Sequence, residues 1–426
     1  MFQSRPEQFN DAKAIDVSII MPCLNETQSL SHCIANARLA LDLIEQQYGL
    51  GGEIVIADNG STDGSQALAE SLGARVVDVP SRGYGAALIG GCTGAYGRYL
   101  LMGDCDGSYN FTEGVAMIGK LEDGWSVCMG SRFKGGIAPG AMPWKNRWIG
   151  NPALTGILNL FFRTGISDAH CGLRAIRKEA FHALRLSGSG MEFASEMVIK
   201  AALLKLPMTE VPATLSPDLR EREPHLRPWR DGWRHLRYLF MLSPTWVFGV
   251  PALAALGSGL AIMALALLHL AGIGPDLVGA SWILVGAMLA CLGHMGGLMA
   301  VAAHLFGVRE GYRRPRNWLL RLRGLINLET LLISGGLMIT GAIAGLVATG
   351  FYWSASSFAA LPSTLPVALA GTLGVIGMQN AFGAFLLAII GGNEADFLKN
   401  ADAVHAERAT PPIPTLSVPA LQGHTA

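Results

Sequence analysis

The sequence predicts an α/β domain on a mainly parallel sheet, followed by four transmembrane α-helices. Three observations predict it. Up to about residue 240, short β-branched runs alternate with helix-like stretches. Polar and acidic residues recur where several of those runs end. Beyond residue 240 come long tracts without Asp, Glu, Lys or Arg: Tyr238 to Pro275, Leu277 to Val308, and Thr330 to Asn393.

The elements follow in order. "VSIIMP" (17–22), stopped by Pro22, reads as a buried strand, and a helix is expected over about 27–47. "GEIVIAD" (52–58) is a second strand, and "STDGSQALAESLG" is a helix opened by a Ser/Thr/Asp cluster. "ARVVDVP" is a third strand, and 83–97 a Gly/Ala-rich helix. "RYLLMGD" (98–104) and "WSVCMGSR" (125–132) are further strands. Alternation of this kind implies a sheet covered on both faces, with ligands beyond the carboxyl ends of its strands. Asn25 and Glu26 follow the first strand, Asp58 ends the second, and Asp104 and Asp106 end the fourth.

Asp104 and Asp106 in "GDCDGSYN" stand one residue apart, so their like charges raise each other's pKa unless a cation intervenes. Mg²⁺ or Mn²⁺ suits such a pair, because a hard cation takes one or two carboxylates and completes its shell with water and substrate phosphates. A lone D-x-D is more often a solvated turn. Three strand ends delivering acids to one sheet edge favour the metal.

With these residues in place, "MPCLNE" (21–26), "ADNGSTDGS" (57–65), "GYGAAL" (83–88) and "GDCDGSYN" (103–110) resemble successive motifs of family 2 glycosyltransferases of the GT-A fold. "MGSRFKGG" (129–136), "DAHCGLRAIRKEA" (168–180) and "GMEFASEM" (190–197) extend the resemblance over about residues 15–240. It is nearest to polyprenyl-phosphate hexosyltransferases of the dolichol-phosphate mannose or glucose synthase type. The resemblance implies that Pro22, Asn25, Glu26 and Asp58 contact the nucleotide, with Gly83 and Gly85 close to it. It makes Asp104 a nucleotide and metal acid, and Asp106 the main metal ligand. Arg132 would meet phosphate groups, and Asp168 and Arg174 fall in the later catalytic motif. Where the family often has Ser-Gly-Phe-Arg, this chain has Cys171-Gly172-Leu173-Arg174.

The implied reaction is inverting transfer of a hexose from a nucleotide sugar, of the UDP-glucose or GDP-mannose type, to polyprenyl phosphate. Such an acceptor is already anionic, so no strong base is required. Arginines would position the phosphates through their planar fork.

The membrane half is read from length and charge. A span needs roughly 20 apolar residues, and spans are expected at about 246–271, 278–307, 328–351 and 364–391. The connection holding Arg309, Arg313, Arg314, Arg316, Arg321 and Arg323 is strongly basic, whereas those around Asp276 and 352–363 lack Lys and Arg. The positive-inside rule then places the basic loop, and with it the catalytic domain and tail, on the cytoplasmic side. The amino terminus has no apolar core of a signal peptide.

Just before the first span, Trp229, Trp233, Leu236 and Phe240 share a helical face beside Arg227, Arg230, Arg234 and Arg237. That pattern predicts an interfacial helix in contact with membrane lipids, or else a helix packed on the domain. The expected organisation is a tail (1–14), a catalytic domain (15–226), an interface helix (227–243), a membrane domain (244–393) and a disordered tail (394–426). Self-association through the spans into a homo-oligomer is compatible with it.

The chain has 32 Lys+Arg against 32 Asp+Glu, which gives no basic excess for nucleic acid. Its 7 cysteines form no C-x-x-C pair, which suits a reducing compartment and no zinc site. Rival readings are weaker. "GYGAALIG" follows the third strand and has Leu88 at its third glycine position, against a dinucleotide fingerprint. A processive polysaccharide synthase would carry Q-x-x-R-W, which is absent. A flippase or transporter would show broken helices or repeats. His294 and His304 in the second span show no partner pattern. Transfer to a hydroxyl-bearing acceptor is the realistic rival, with Asp168 or Glu192 as base.

Overall fold

The first strand, β1 (Ile15–Cys23), is buried without alternation from Val17 to Met21. That pattern marks a strand covered on both faces. The computed structural model describes residues 15–220, 228–273, 281–361 and 363–398. Among them the chain divides into two compact units, one ending at Leu239 and the other beginning at Phe240.

In the first unit β1 leads to α1 (Thr27–Tyr48), β2 (Gly51–Asp58), α2 (Ser65–Ser71), β3 (Arg75–Asp78), α3 (Tyr84–Gly94) and β4 (Tyr99–Met102). Then come α4 (Gly114–Glu122), β5 (Val127–Ser131), the single turn α5 (Arg132–Gly135), β6 (Gly136–Ile137) and α6 (Asn151–Phe162). β7 (Arg174–Arg177), α7 (Lys178–Leu184), α8 (Phe193–Leu203), β8 (Met208–Leu215) and all but the last two residues of α9 (Pro228–Met241) complete it. α1 stops at Gly49, whose φ of 70° is cheap only without a side chain, and the Gly49 amide closes on the Glu45 carbonyl.

Among the described residues the sheet has eight strands in the order β3-β2-β1-β4-β7-β5-β8-β6. All pairings are parallel except those of β7, which runs antiparallel to both β4 and β5. The mainly parallel expectation holds, with one reversed strand that hydrophobic pattern cannot orient. The reversal matters. It sets Arg174, the first residue of β7, opposite Met102 at the end of β4 and beside Met129 of β5. A motif far along the chain thereby starts at the edge where the earlier strands finish.

The Gly/Ala-rich helix is shorter than expected, ending at Gly94. Gly97 lies against β1, where a Cβ would come within 2.6 Å of the Ser18 amide nitrogen, and its own amide donates to the Ser18 hydroxyl. Helix α9 forms where the amphipathic helix was expected. Among its described side chains, His235 and Leu239, four residues apart, are the buried ones, while Trp233 is 61% and Phe240 40% exposed. The stripe containing Trp233 and Phe240 is therefore not the face that packs on the domain. Arg227, the first residue of the expected stripe, lies outside the described residues, as do Asp276, the tail 1–14 and residues 399–426.

The second unit holds α10 (Val250–Leu270), α11 (Trp282–Arg309), α12 (Asn317–Arg321), α13 (Leu328–Ala355) and α14 (Leu365–Ile390). A wider turn over Thr245–Gly249 runs into α10, so the apolar helices span Thr245–Leu270, Trp282–Arg309, Leu328–Ala355 and Leu365–Ile390. Each has 26 or 28 residues, about 40 Å at 1.5 Å per residue, enough to cross a bilayer. Small residues let them pack closely: a Cβ on Gly293 would lie 2.3 Å from the Leu256 amide nitrogen, and one on Gly335 2.8 Å from the Gly377 carbonyl. Asn327 caps α13 by accepting from the Thr330 amide at 2.8 Å.

Candidate active site

Each strand end supplies one turn of the site. After β1, Asn25 takes a left-handed conformation, with φ 60°. Its side-chain oxygen accepts from the Thr62 amide at 2.8 Å, and its own amide donates to the Ser61 hydroxyl at 2.9 Å. The first and second strand-end turns are thus stitched together. Asp58 is fully buried and accepts from the Gly60 and Ser61 amides and from Gln66. Pro22, in register with Ala57 of β2, offers its carbonyl to the Cys105 thiol. That contact ties the first turn to the Asp104–Asp106 turn.

Gly83 and Gly85 open α3. Gly83 has φ 134°, and a Cβ there would lie 2.1 Å from the Ser189 carbonyl; one on Gly85 would lie 2.1 Å from the Gly188 carbonyl. The neighbour that demands both glycines is the 188–190 backbone. That loop is fixed in turn by Glu196, whose carboxylate accepts from the Ser187 and Gly188 amides and pairs with Lys200 at 2.6 Å. Of the two acids on this segment, Glu196 is structural, while Glu192 keeps one buried oxygen without a partner.

Asp104 accepts from the Tyr84 hydroxyl at 2.9 Å. Gly172 lies against it: a Cβ there would come within 2.6 Å of the Asp104 Oδ2. Burial first, and the nearby Asp106 carboxylate second, push the Asp104 carboxyl above the usual carboxylate range. Asp106 binds the Ser108 amide and hydroxyl through Oδ1, and the Arg220 guanidinium through Oδ2 at 2.8 Å. Arg220 also reaches Glu26 at 3.2 Å and Asp218 at 2.9 Å. A cation therefore already sits among Glu26, Asp106 and Asp218. Among the described residues there is no group of three or more His, Cys, Asp or Glu arranged for a metal. A pair of carboxylates is all that Mg²⁺ or Mn²⁺ asks of a protein when phosphates complete its shell. The donor set fits such an ion.

The two predicted arginines differ sharply. Arg132 is locked to Asp168 by a bidentate pair, Nε to Oδ2 and Nη2 to Oδ1, each 2.7 Å. Asp168 is fully buried and also accepts from the Arg132 amide. Arg174 is 1% exposed, and its Nε and Nη1 have no partner; Nη2 donates to the Cys171 carbonyl. A buried guanidinium with unused donors is costly unless an anion completes it. Arg174, more than Arg132, keeps donor atoms unused.

Cys171 is a core residue, fully buried against Gly130. His170 bonds to the Ser195 hydroxyl at 3.1 Å, which also meets His235 of α9 at 2.8 Å. Burial, then the neighbouring His235, Arg132 and Arg174, lower the His170 pKa well below its usual value, so its ring is neutral. Sequence reasoning missed Tyr84, Arg220, Ser195 and His235. For Arg220 the sequence offers only a charge-rich stretch after the last strand; Tyr84 and Ser195 lie within the motifs quoted above, but nothing local marks them as partners of Asp104 and His170.

Two family models match the chain: Glycosyl transferase family 2 over residues 18–185, and the Glycosyltransferase family 2 C-terminal transmembrane region over residues 301–391. The low-salt glycan biosynthesis hexosyltransferase Agl6 of Haloferax volcanii is 35% identical over 88% of this chain and 89% of its own length. A dolichyl-phosphate hexose transferase of the same organism is 26% identical over 51% of this chain and 89% of its own. The solved structure of glucosyl-3-phosphoglycerate synthase from Mycobacterium tuberculosis aligns with a TM-score of 0.41 at 19% identity, over 54% of this chain and 80% of that one.

Proposed function

Because the chain belongs to glycosyltransferase family 2 and is a membrane-associated hexosyltransferase within it, we propose that it transfers a hexose from a nucleotide diphosphate sugar to polyprenyl phosphate at the cytoplasmic membrane face. The observation that carries this reading is that Arg174, buried with two unused donor atoms, starts at the same sheet edge as the acidic turn of Asp104 and Asp106. Anions are wanted on one side and a cation on the other, as a diphosphate with its metal would supply. Asp106 and Asp104 would hold Mg²⁺ or Mn²⁺, which when bound offsets the diphosphate charge and stabilises the departing nucleotide.

The remaining work falls to the chain. Pro22, Asn25, Glu26 and Asp58 frame the nucleotide, on turns whose hydrogen bonds fix the backbone before a donor arrives. Gly83 and Gly85 let the 188–190 loop close over α3 beside it. Arg174 supplies planar donors to a phosphate. Arg132 and Asp168 hold the neighbouring turn rigid. The lipid phosphate attacks the anomeric carbon directly, and no proton need be removed from it.

The state of the acids supports that acceptor. Asp168 has both oxygens engaged by Arg132, so it is not available as the base that a hydroxyl acceptor requires. His170, neutral but bonded to Ser195, is tied to α9. The free oxygen of Glu192 is the one observation that favours a hydroxyl acceptor. The basic loop between the second and third spans supports the cytoplasmic placement.

The test uses purified protein with Mg²⁺ or Mn²⁺, polyprenyl phosphate and a panel of radiolabelled sugar nucleotides, with Asp106→Ala alongside. Metal-dependent label in the organic phase, released by mild acid and lost in the variant, is the expected result. Alkali-stable label, or transfer only to a hydroxyl-bearing acceptor, overturns the acceptor assignment. Failure to bind any donor overturns the site.

A further inference from the structure

In the second unit, the arginines at the two ends of the basic stretch have identifiable work. Arg309 donates to the Ile389 and Ile390 carbonyls at the end of α14, at 3.1 and 3.3 Å, satisfying a helix C-terminus. Arg323 pairs with Asp396. Arg313 is different. It is 5% exposed, yet no carboxylate pairs with it among the described residues, and its Nε has no partner. Its one hydrogen bond is to the Leu242 carbonyl.

The positive-inside rule explains cations that stand in water beside the membrane, and Arg313 does not stand in water. The chain takes trouble to put it there. Gly311, with φ 79°, turns the loop back on α11. Gly307 then leaves room for it: a Cβ there would lie 3.0 Å from the Tyr312 ring and 3.3 Å from Arg313 Nε. Two further groups converge. His304, one turn earlier on α11, is 6% exposed with Nε2 unpartnered. Arg316, exposed, reaches across to the Thr245 hydroxyl at 2.7 Å. Burial, with Arg316 nearby, lowers the Arg313 guanidinium to about 10, which still leaves it charged at neutral pH.

Two unpartnered nitrogens on nine-tenths buried side chains, beside a second arginine, make a built cradle for an anion with several oxygens. An isolated buried charge of this kind is otherwise unstable. Its place at the end of a 28-residue span says where the anion comes from, because Arg309 closes that span and headgroups lie at that depth. We propose that Arg313, Arg316 and His304 bind the phosphate of a membrane lipid, making a lipid-phosphate site within the membrane unit. The guanidinium of Arg313 gives the phosphate an inner contact, Arg316 an outer one, and the imidazole of His304 a third donor. The site rests on the second unit alone and not on the identity of the glycosyl acceptor.

The test measures thermal unfolding of the full-length protein in dodecyl maltoside micelles titrated with phosphatidic acid, with inorganic phosphate in a parallel arm. Phosphatidic acid is expected to raise the unfolding temperature saturably, while inorganic phosphate at equal concentration does not. Arg316→Gln, exposed and so unable to unfold the protein, should weaken the apparent affinity about tenfold, as expected for a lost charge-assisted hydrogen bond. Arg313→Gln should abolish the shift, and Arg313→Lys should restore part of it. The proposal is overturned if phosphatidic acid produces no shift, or if both glutamine variants shift as the wild type does. An equal response to inorganic phosphate would place the ligand in solution and overturn the lipid assignment.

Discussion

Arg220 and Asp106 are joined by a 2.8 Å ion pair across 114 residues of chain. The same guanidinium reaches Glu26 and Asp218, so one side chain gathers three acids. A divalent ion bound at Asp106 must compete with it. Arg220→Gln is therefore expected to tighten Mn²⁺ binding, measured by calorimetry without nucleotide. A partly exposed pair contributes about 1 kcal/mol, so the gain is about fivefold. Weaker binding in the variant would mean that Arg220 holds Asp106 in its ligating position.

Arg174 should separate stability from activity. Its charge is buried with two donor atoms unused, so Arg174→Met is expected to change folding stability by less than about 1 kcal/mol. The same change removes the prepared phosphate contact, and kcat/KM should fall at least about a hundredfold. Denaturation and initial rates on one preparation check both. A stability loss that tracks the activity loss would make Arg174 a structural residue.

Glu196 predicts a pH effect. Burial opposes its ionisation, but Lys200 and the Gly188 amide overcome that and hold the carboxyl below its ordinary range. Its folded-state value lies below the unfolded value of about 4.3. The stabilisation is therefore complete above the unfolded value and is lost as pH falls through the folded one. Glu196→Gln should cost about 3 kcal/mol near neutrality, since it leaves Lys200 buried without its partner. The difference from wild type should shrink in acid. A gap that is constant with pH would refute the pairing as its source.

Gly83→Ala tests the closure of the 188–190 loop over α3. The Cβ would meet the Ser189 carbonyl at 2.1 Å in a backbone conformation that L residues avoid. A loss of about 2 kcal/mol or more is expected, read as a lower unfolding temperature. Unchanged stability would show that the loop moves aside freely.

Several parts of this molecule were legible in the residues alone. The four spans end within a few residues of their expected limits, because uninterrupted apolarity over the needed length is a local property. The early strands were equally plain: Val17 to Met21 form an apolar run interrupted only by Ser18, and Pro22 and the polar residues after it mark where the strand stops. Asp104 and Asp106 were visible because both sit on one short turn. Which face of α9 packs on the domain was not legible, since Leu236 and Leu239 offer two overlapping apolar faces and only the partner surface chooses between them.

The sequence by itself determined the α/β alternation, the membrane helices and the acidic strand ends, since each follows from the chemistry of neighbouring residues. Only the tertiary structure decided that β7 runs backwards between β4 and β5, which brings Arg174 to the acidic edge. It also decided that Arg132 is spent on Asp168, that Arg220 closes on Asp106, and that Arg313 is buried while Arg309 is not. Pairings between residues tens to hundreds of positions apart are set by which surfaces meet when the core is packed. Local periodicity holds no record of that choice.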